Sequence, residues 1–173
     1  MVTLSPEWEH RAFEWTTRVH SDCIHNNRVQ ADGRLISVEQ RWHNNLMSYR
    51  AEMGVAKTMQ LPWRACRDRK SPDVGGCIEV RARTVPGNGG DLPLRPDDDE
   101  KIERPFVLVH VHNVDQSIDV IGWLFGYEAR ERGGPERFGI VYVPPPYRSI
   151  DELIEWYQKL YLAGLIFRLP VPA

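Results

Sequence analysis

Residues Phe106 to Val111 form an apolar run broken only by His110. A strand of that composition needs cover on both faces, which places it in the middle of a sheet. The rest of the chain must then supply layers on either side, and helices are the obvious candidates. Ser5-Pro6 pairs a capping hydroxyl with proline at a first helical position. Trp8, Ala12, Trp15 and Val19 follow at three- and four-residue spacing, which predicts an amphipathic helix over 5–26. Asp32-Gly33 is a turn. Ser37, with Gln40 three residues on, predicts a capping box opening a second helix. Its stripe is Val38, Trp42, Leu46, Tyr49, Met53 and Ala56, and it runs to about Gln60, before Pro62. Ser149 and Glu152 repeat the box and predict a last helix over 149–163.

From Cys77 the period changes to two. Ile78, Val80 and Ala82 point one way and Glu79, Arg81 and Arg83 the other, as in a strand with one buried and one solvated, charged face. Leu92 to Arg95 reads as its returning partner, held at an edge by Pro93. Asp97 to Arg104 reads as a charged, solvated loop. Ser117 to Ile121 is a further strand, Gly122 to Arg130 a short helix, and Gly139 to Val143 a strand ended by three prolines; the tail from Pro170 is loose. The order α-α-β-β-β-β-(α)-β-α predicts one α/β (α+β) domain over 1–173, a mixed sheet flanked by helices.

Composition narrows the function. At 42% hydrophobic and 27% charged, a chain of 173 residues is an ordinary globular domain and not a disordered one. No apolar run approaches the ~20 residues of a membrane helix, and Met1 to Glu9 lacks the pattern of a signal peptide. Cys23, Cys66 and Cys77 contain no CxxC pair, which argues against a disulfide scaffold and fits a cytoplasmic setting. The net charge of −2 excludes a globally basic nucleic-acid binder. Any such activity must come from a local patch.

One patch stands out. From Arg64 to Arg95 there are seven basic residues against four acidic ones. Within it, Pro72-Asp73 precedes Glu79-Val80-Arg81, and Glu52 sits beside the apolar stripe of the second helix. Asp73, Glu79 and Glu52 are hard oxygen donors of the kind that suits Mg²⁺ or Mn²⁺. The alternative reading of the same residues is a solvated strand face with ordinary ion pairs. Arg67, Lys70, Arg83 and Arg95 are candidate phosphate contacts, with Trp63 as a stacking surface for a base.

Other groups carry blander readings. His20, Cys23 and His25 lack a fourth ligand for zinc. His110 and His112 share one sheet face as packed, hydrogen-bonded histidines. Asp97 to Glu100 lacks the spacing of a calcium loop. Trp8, Trp15 and Trp42 fall on helical stripes, fit for the core or for contact between two copies. Gly87 to Gly90 has no lysine and no following helix, so it is a turn and not a phosphate loop.

The elements Glu52-Met53-Gly54-Val55-Ala56-Lys57, Trp63, Pro72-Asp73-Val74-Gly75, Glu79-Val80-Arg81-Ala82-Arg83, Arg95-Pro96, Pro105 to Val109 and Gly122-Trp123 resemble a group of small bacteriophage-encoded proteins. That group is similar to the PD-(D/E)XK phosphodiesterases, the restriction-endonuclease-like nucleases. The resemblance implies a nuclease-like core over about 38–143, with Asp73 and Glu79 as Mg²⁺ or Mn²⁺ ligands and Glu52 as a helix carboxylate assisting them. It implies a DNA substrate and a host-cytoplasm setting. Position 81 departs from the pattern, with arginine in place of lysine. Arginine stays protonated and cannot act as a base, although it can clamp a phosphate. Two readings follow: a metal-dependent DNA phosphodiesterase with Glu52, Asp73, Glu79 and Arg81 as catalytic residues, or a nuclease-fold protein without catalysis that binds or inhibits a host partner. A structural or assembly protein of a virion is a third.

Overall fold

The computed structural model describes residues 1–25, 37–65, 71–85, 90–112, 115, 117–137 and 139–166. The first helix, α1 (Pro6–His25), and the second, α2 (Val38–Thr58), lie where the periodicity places them. Ser37 caps α2, accepting from Gln40 N at 3.1 Å. The expected box is only half formed, because the Gln40 amide turns forward and donates to Asn44 at 2.9 Å. Trp42 packs edge-on against Phe13, ring centres 5.3 Å apart, tying α2 to α1. The buried surface of α2 is concentrated late in the helix: Val38 is exposed, whereas Ala51 and Met53 to Ala56 are all buried. Arg50 is buried there with its charge met by Glu9 at 2.7 Å.

Three strands make the main sheet: β1 (Glu79–Val85), β3 (Pro105–His112) and β4 (Ile118–Phe125), in the order β1-β3-β4. As expected, the apolar run is the central strand. It pairs parallel with β1 and antiparallel with β4. Between β1 and β3 the chain forms β2 (Leu92–Leu94) and a 3-10 helix (Pro96–Lys101). After β4 come α3 (Gly126–Arg132), the short β5 (Glu136–Arg137), β6 (Ile140–Val143) and α4 (Ile150–Leu162). α4 opens on the full Ser149/Glu152 box.

Three expectations are corrected. Leu92 to Leu94 does not return against β1; it pairs with β6 in a second sheet, β2-β6-β5, as an outer strand with Pro93 opposite Tyr142. A parallel neighbour for β1 requires a crossover, and β2 and the 3-10 helix lie along it, while β5 and β6 join β2 from beyond β4. Residues 122–125 belong to β4, not to a helix, and α3 starts at Gly126 because Glu128 reaches back to Phe125 N at 3.0 Å. The acidic stretch after Arg95 is a helical turn whose Asp98 is buried.

The central strand explains the layering. Val107, Val109 and Val111 pack with Met53, Val55 and Ile118 on the face covered by α2. Phe106 and Leu108 point the other way and pack with Leu92, Leu94, Leu124 and Val143 under the second sheet and α3. The main sheet is therefore the middle of three layers. The first face admits its helix closely, since a Cβ on Gly54 would lie 2.6 Å from Ile118 Cγ2.

A tight turn leads into β1. Ile78 N donates to Val74 O at 3.0 Å and Val74 N to Ile78 O at 3.1 Å, with Gly75 and Gly76 both left-handed (φ 60° and 78°) between them. The Tyr157 hydroxyl of α4 donates to Gly75 O at 3.0 Å. A Cβ at Gly75 would meet Leu61 at 2.8 Å and Tyr157 at 2.9 Å, while one at Gly76 meets nothing. Gly75→Ala is therefore expected to lower stability by about 1–3 kcal/mol, and Gly76→Ala by less. Urea unfolding with an unchanged m-value measures both.

Candidate functional site

The two-glycine turn sets Asp73 against the outer edge of β1. β1 is a terminal strand of its sheet, so N–H groups on that edge need partners from elsewhere. Asp73 Oδ2 accepts from Val80 N at 2.7 Å. The turn places a carboxylate at the start of the strand that carries Glu79 and Arg81.

The charged face of β1 is not solvated. Glu79 and Arg81 flank Phe106 and Leu108 in register, so they share the face that the second layer covers. Glu79 is 0% exposed and Arg81 7%. The 3-10 helix and the turn after it supply the counter-charges. Lys101 Nζ lies 2.9 Å from Glu79 Oε2, and Arg104 Nη1 lies 2.6 Å from Glu79 Oε1. Arg81 Nη2 pairs with the buried carboxylate of Asp98, whose other oxygen accepts from Arg95 N at 2.8 Å. The Arg81 guanidinium also lies 4.8 Å from the centre of the Phe106 ring, on its face.

The second terminal nitrogen of Arg81 is the centre of the site. Nη1 donates to Val80 O at 3.0 Å and stands 3.7 Å from Glu79 Oε2 and 3.9 Å from Asp73 Oδ2. The two carboxylates thus face the same nitrogen, as their spacing in the sequence suggests. Burial raises the pKa of Asp73 from 3.8 to about 6, the Glu79 charge adds to the rise, and the Val80 N–H and the charges of Arg81 and Lys101 oppose it. Burial also raises the Cys77 thiol to about 11, so it is held as the neutral thiol despite the Arg104 charge.

Glu52 does not join this group. α2 covers the opposite face of the sheet from Glu79, and Glu52 accepts instead from Trp63 Nε1 at 3.0 Å. Trp63 in turn lies edge-on to Tyr49, ring centres 6.2 Å apart. Among the described residues no three His, Cys, Asp or Glu side chains come together as a metal-holding group. Two carboxylates and a carbonyl do converge, but on a point that Arg81 Nη1 already holds. As arranged, these residues do not fit a resident Mg²⁺ or Mn²⁺.

Arg95 is exposed at the rim. The side chain is open to solvent as a whole, but the atoms crowding its guanidinium, and the neighbouring Arg81, still lower its pKa, with Asp98, Asp97 and Asp73 acting the other way. Arg83, next but one along β1, is half-buried over the Tyr142 ring at 5.2 Å. Arg67 and Lys70 lie outside the described residues, as do the Cys23 and His25 side chains. His112 pairs with Asp119 at 2.9 Å, in keeping with a structural histidine. Asp98, Lys101 and Arg104 were hidden in a stretch that reads as solvated loop. Arg95-Pro96 followed by Asp98 is nonetheless a helix-start pattern: cap, proline at the first position, carboxylate at the third.

Protein-family models, curated proteins and solved structures contain no match to this chain. No helix among the described residues is long and apolar enough to cross a membrane.

Two predictions rest on this geometry. The fold favours the protonated form of Asp73, so its contribution to stability is complete below about pH 4 and is lost as the pH rises through about 6. The difference in unfolding free energy between wild type and Asp73→Asn should therefore change by roughly 2–3 kcal/mol across that window, in the direction of a wild type relatively more stable in acid. A difference that is flat with pH counts against a buried, raised carboxyl. Glu79→Gln, expected to be nearly silent if β1 had a solvated face, should instead cost about 2–4 kcal/mol, because it strands Lys101 and Arg104 beside a neutral amide. Denaturant melts at pH 7 measure it.

Proposed function

We propose that the protein is a phosphate-recognising module that binds nucleic acid at the rim of the β1 face without metal-dependent cleavage. The observation that carries this reading is the fixed position of Arg81, paired with Asp98 and turned towards Glu79 and Asp73. A cation is built into the place where the phosphodiesterase reading needs an ion. Around it, Arg81, Arg95, Lys101 and Arg104 match Asp73, Glu79, Asp97 and Asp98 in number, so a phosphate would be met by the donors turned to solvent and not by a net positive charge. Lys101 and Arg104 keep 14% and 27% of their side-chain surface in solvent, so an incoming phosphate can share their donors. Arginine and lysine clusters of this type bind phosphate through charge-assisted hydrogen bonds.

A second reading has its own support. A Mg²⁺- or Mn²⁺-dependent phosphodiesterase acting on DNA is what the nuclease resemblance implies. Burial first and the Glu79 charge second raise Asp73, and a bound divalent ion would relieve both by stabilising the two carboxylates in their ionised form. The phage origin and host-cytoplasm setting belong to either reading, and a host protein as target belongs to the binding one.

Fluorescence anisotropy with labelled single- and double-stranded DNA in EDTA tests the proposal. Binding is expected without metal and should weaken steeply with salt, since each phosphate contact releases counterions. Arg95→Ala should reduce the log–log salt slope by about one unit. Salt-insensitive binding, or none, sinks the proposal. Mg²⁺-dependent cleavage that disappears in Glu79→Gln selects the enzyme instead.

A further inference from the structure

Three oxygens surround Arg81 Nη1: Val80 O at 3.0 Å, Glu79 Oε2 at 3.7 Å and Asp73 Oδ2 at 3.9 Å. One is a backbone carbonyl and two are carboxylates, the donor types that hold hard divalent cations. The guanidinium is more than nine-tenths buried, and its Nε has no hydrogen-bond partner. Its position is therefore set by its two terminal nitrogens, Nη2 on Asp98 and Nη1 among the three oxygens, and by the Phe106 ring.

We infer that these three oxygens are a cation site whose resident cation is the Arg81 guanidinium, and that shortening this side chain opens the site to a divalent metal ion. An ion entering the wild-type protein must displace Arg81. That leaves Asp98 buried without its strongest partner, a costly state for an ionised carboxylate. The ion must also approach four positive side chains, three of which already touch Glu79. With Arg81 shortened, Nη1 vacates the point the oxygens face and one positive charge leaves the cluster, while the cost of the unpaired Asp98 falls on folding of the variant and no longer on ion binding. The inference concerns cation chemistry alone and stands whether or not nucleic acid binds.

Isothermal titration of the full chain with MnCl₂, without nucleic acid and at constant ionic strength, tests it. The wild type should show no saturable Mn²⁺ binding. Arg81→Met, which keeps most of the stem volume over Phe106, should bind Mn²⁺ at least about tenfold more tightly than wild type. Arg81→Met/Asp73→Asn should lose that gain. Should Arg81→Met unfold in EDTA, recovery of its circular dichroism by Mn²⁺ but not by NaCl supports the inference. Should it fail to fold in both, Arg81→Gln, which retains a donor for Asp98, is read with the same outcomes. Saturable Mn²⁺ binding by the wild type that is lost in Asp73→Asn overturns the inference, as does a folded Arg81 variant with no gain.

Discussion

The Arg81–Asp98 pair ties the main sheet to the layer that covers its second face. β1 brings Arg81 to the covered face of the main sheet, and the 3-10 helix on the crossover brings Asp98 to meet it. Without that pair, the second layer would have to seat Leu92, Leu94 and Val143 against Phe106 and Leu108 beside an unmatched buried charge. Buried ion pairs contribute little net stability when intact, but breaking one is strongly unfavourable. What such a pair does supply is registry. Only one seating of the 3-10 helix on the sheet puts Asp98 on Arg81 while Lys101 and Arg104 both reach Glu79. Apolar contacts between the same layers tolerate sliding much better, since the hydrophobic effect is non-directional.

The choice of arginine at this position follows from the geometry. Two ends of one side chain are engaged at once, Nη2 by a carboxylate in the second layer and Nη1 by oxygens of β1 and the turn before it. A planar guanidinium can bridge two such groups and still lay its face on Phe106. A lysine ammonium is a point charge and would have to give up one of them. The residue that departs from the nuclease pattern is thus the one that completes the packing between layers. The lysine near the carboxylates is Lys101, carried on a different element.

How much was legible in the sequence depended on whether a residue's role was local. Helix starts were readable because Ser37, Ser149 and Glu152 act within three residues of themselves. The central strand was readable because only a doubly covered strand tolerates the run from Phe106 to Val111. The alternation from Ile78 to Arg83 gave the correct faces of β1 but the wrong environment for one of them. Period two separates two faces without saying what covers either. The convergence of Asp73 and Glu79 was expected from their spacing and from the nuclease resemblance, and the Gly75-Gly76 turn is what brings it about. The displacement of Glu52 was not, because it depends on which side of the sheet α2 packs.

A charged strand face can be read as buried when matching charges return at a fixed distance along the chain. Glu79, Arg81 and Arg83 call for two or three groups of opposite sign on whatever layer covers them. The stretch from Asp97 to Arg104 carries both signs, and it begins with a proline helix start that orders it. A solvated loop has no need of that order, nor of a carboxylate at the third helical position. Lys101 and Arg104 are three residues apart, across the turn that ends the helix, and both close on one carboxylate. Charge run, helix start and spacing together distinguish an ionic layer from a solvated one. Composition alone, with its near balance of acids and bases, cannot make that distinction.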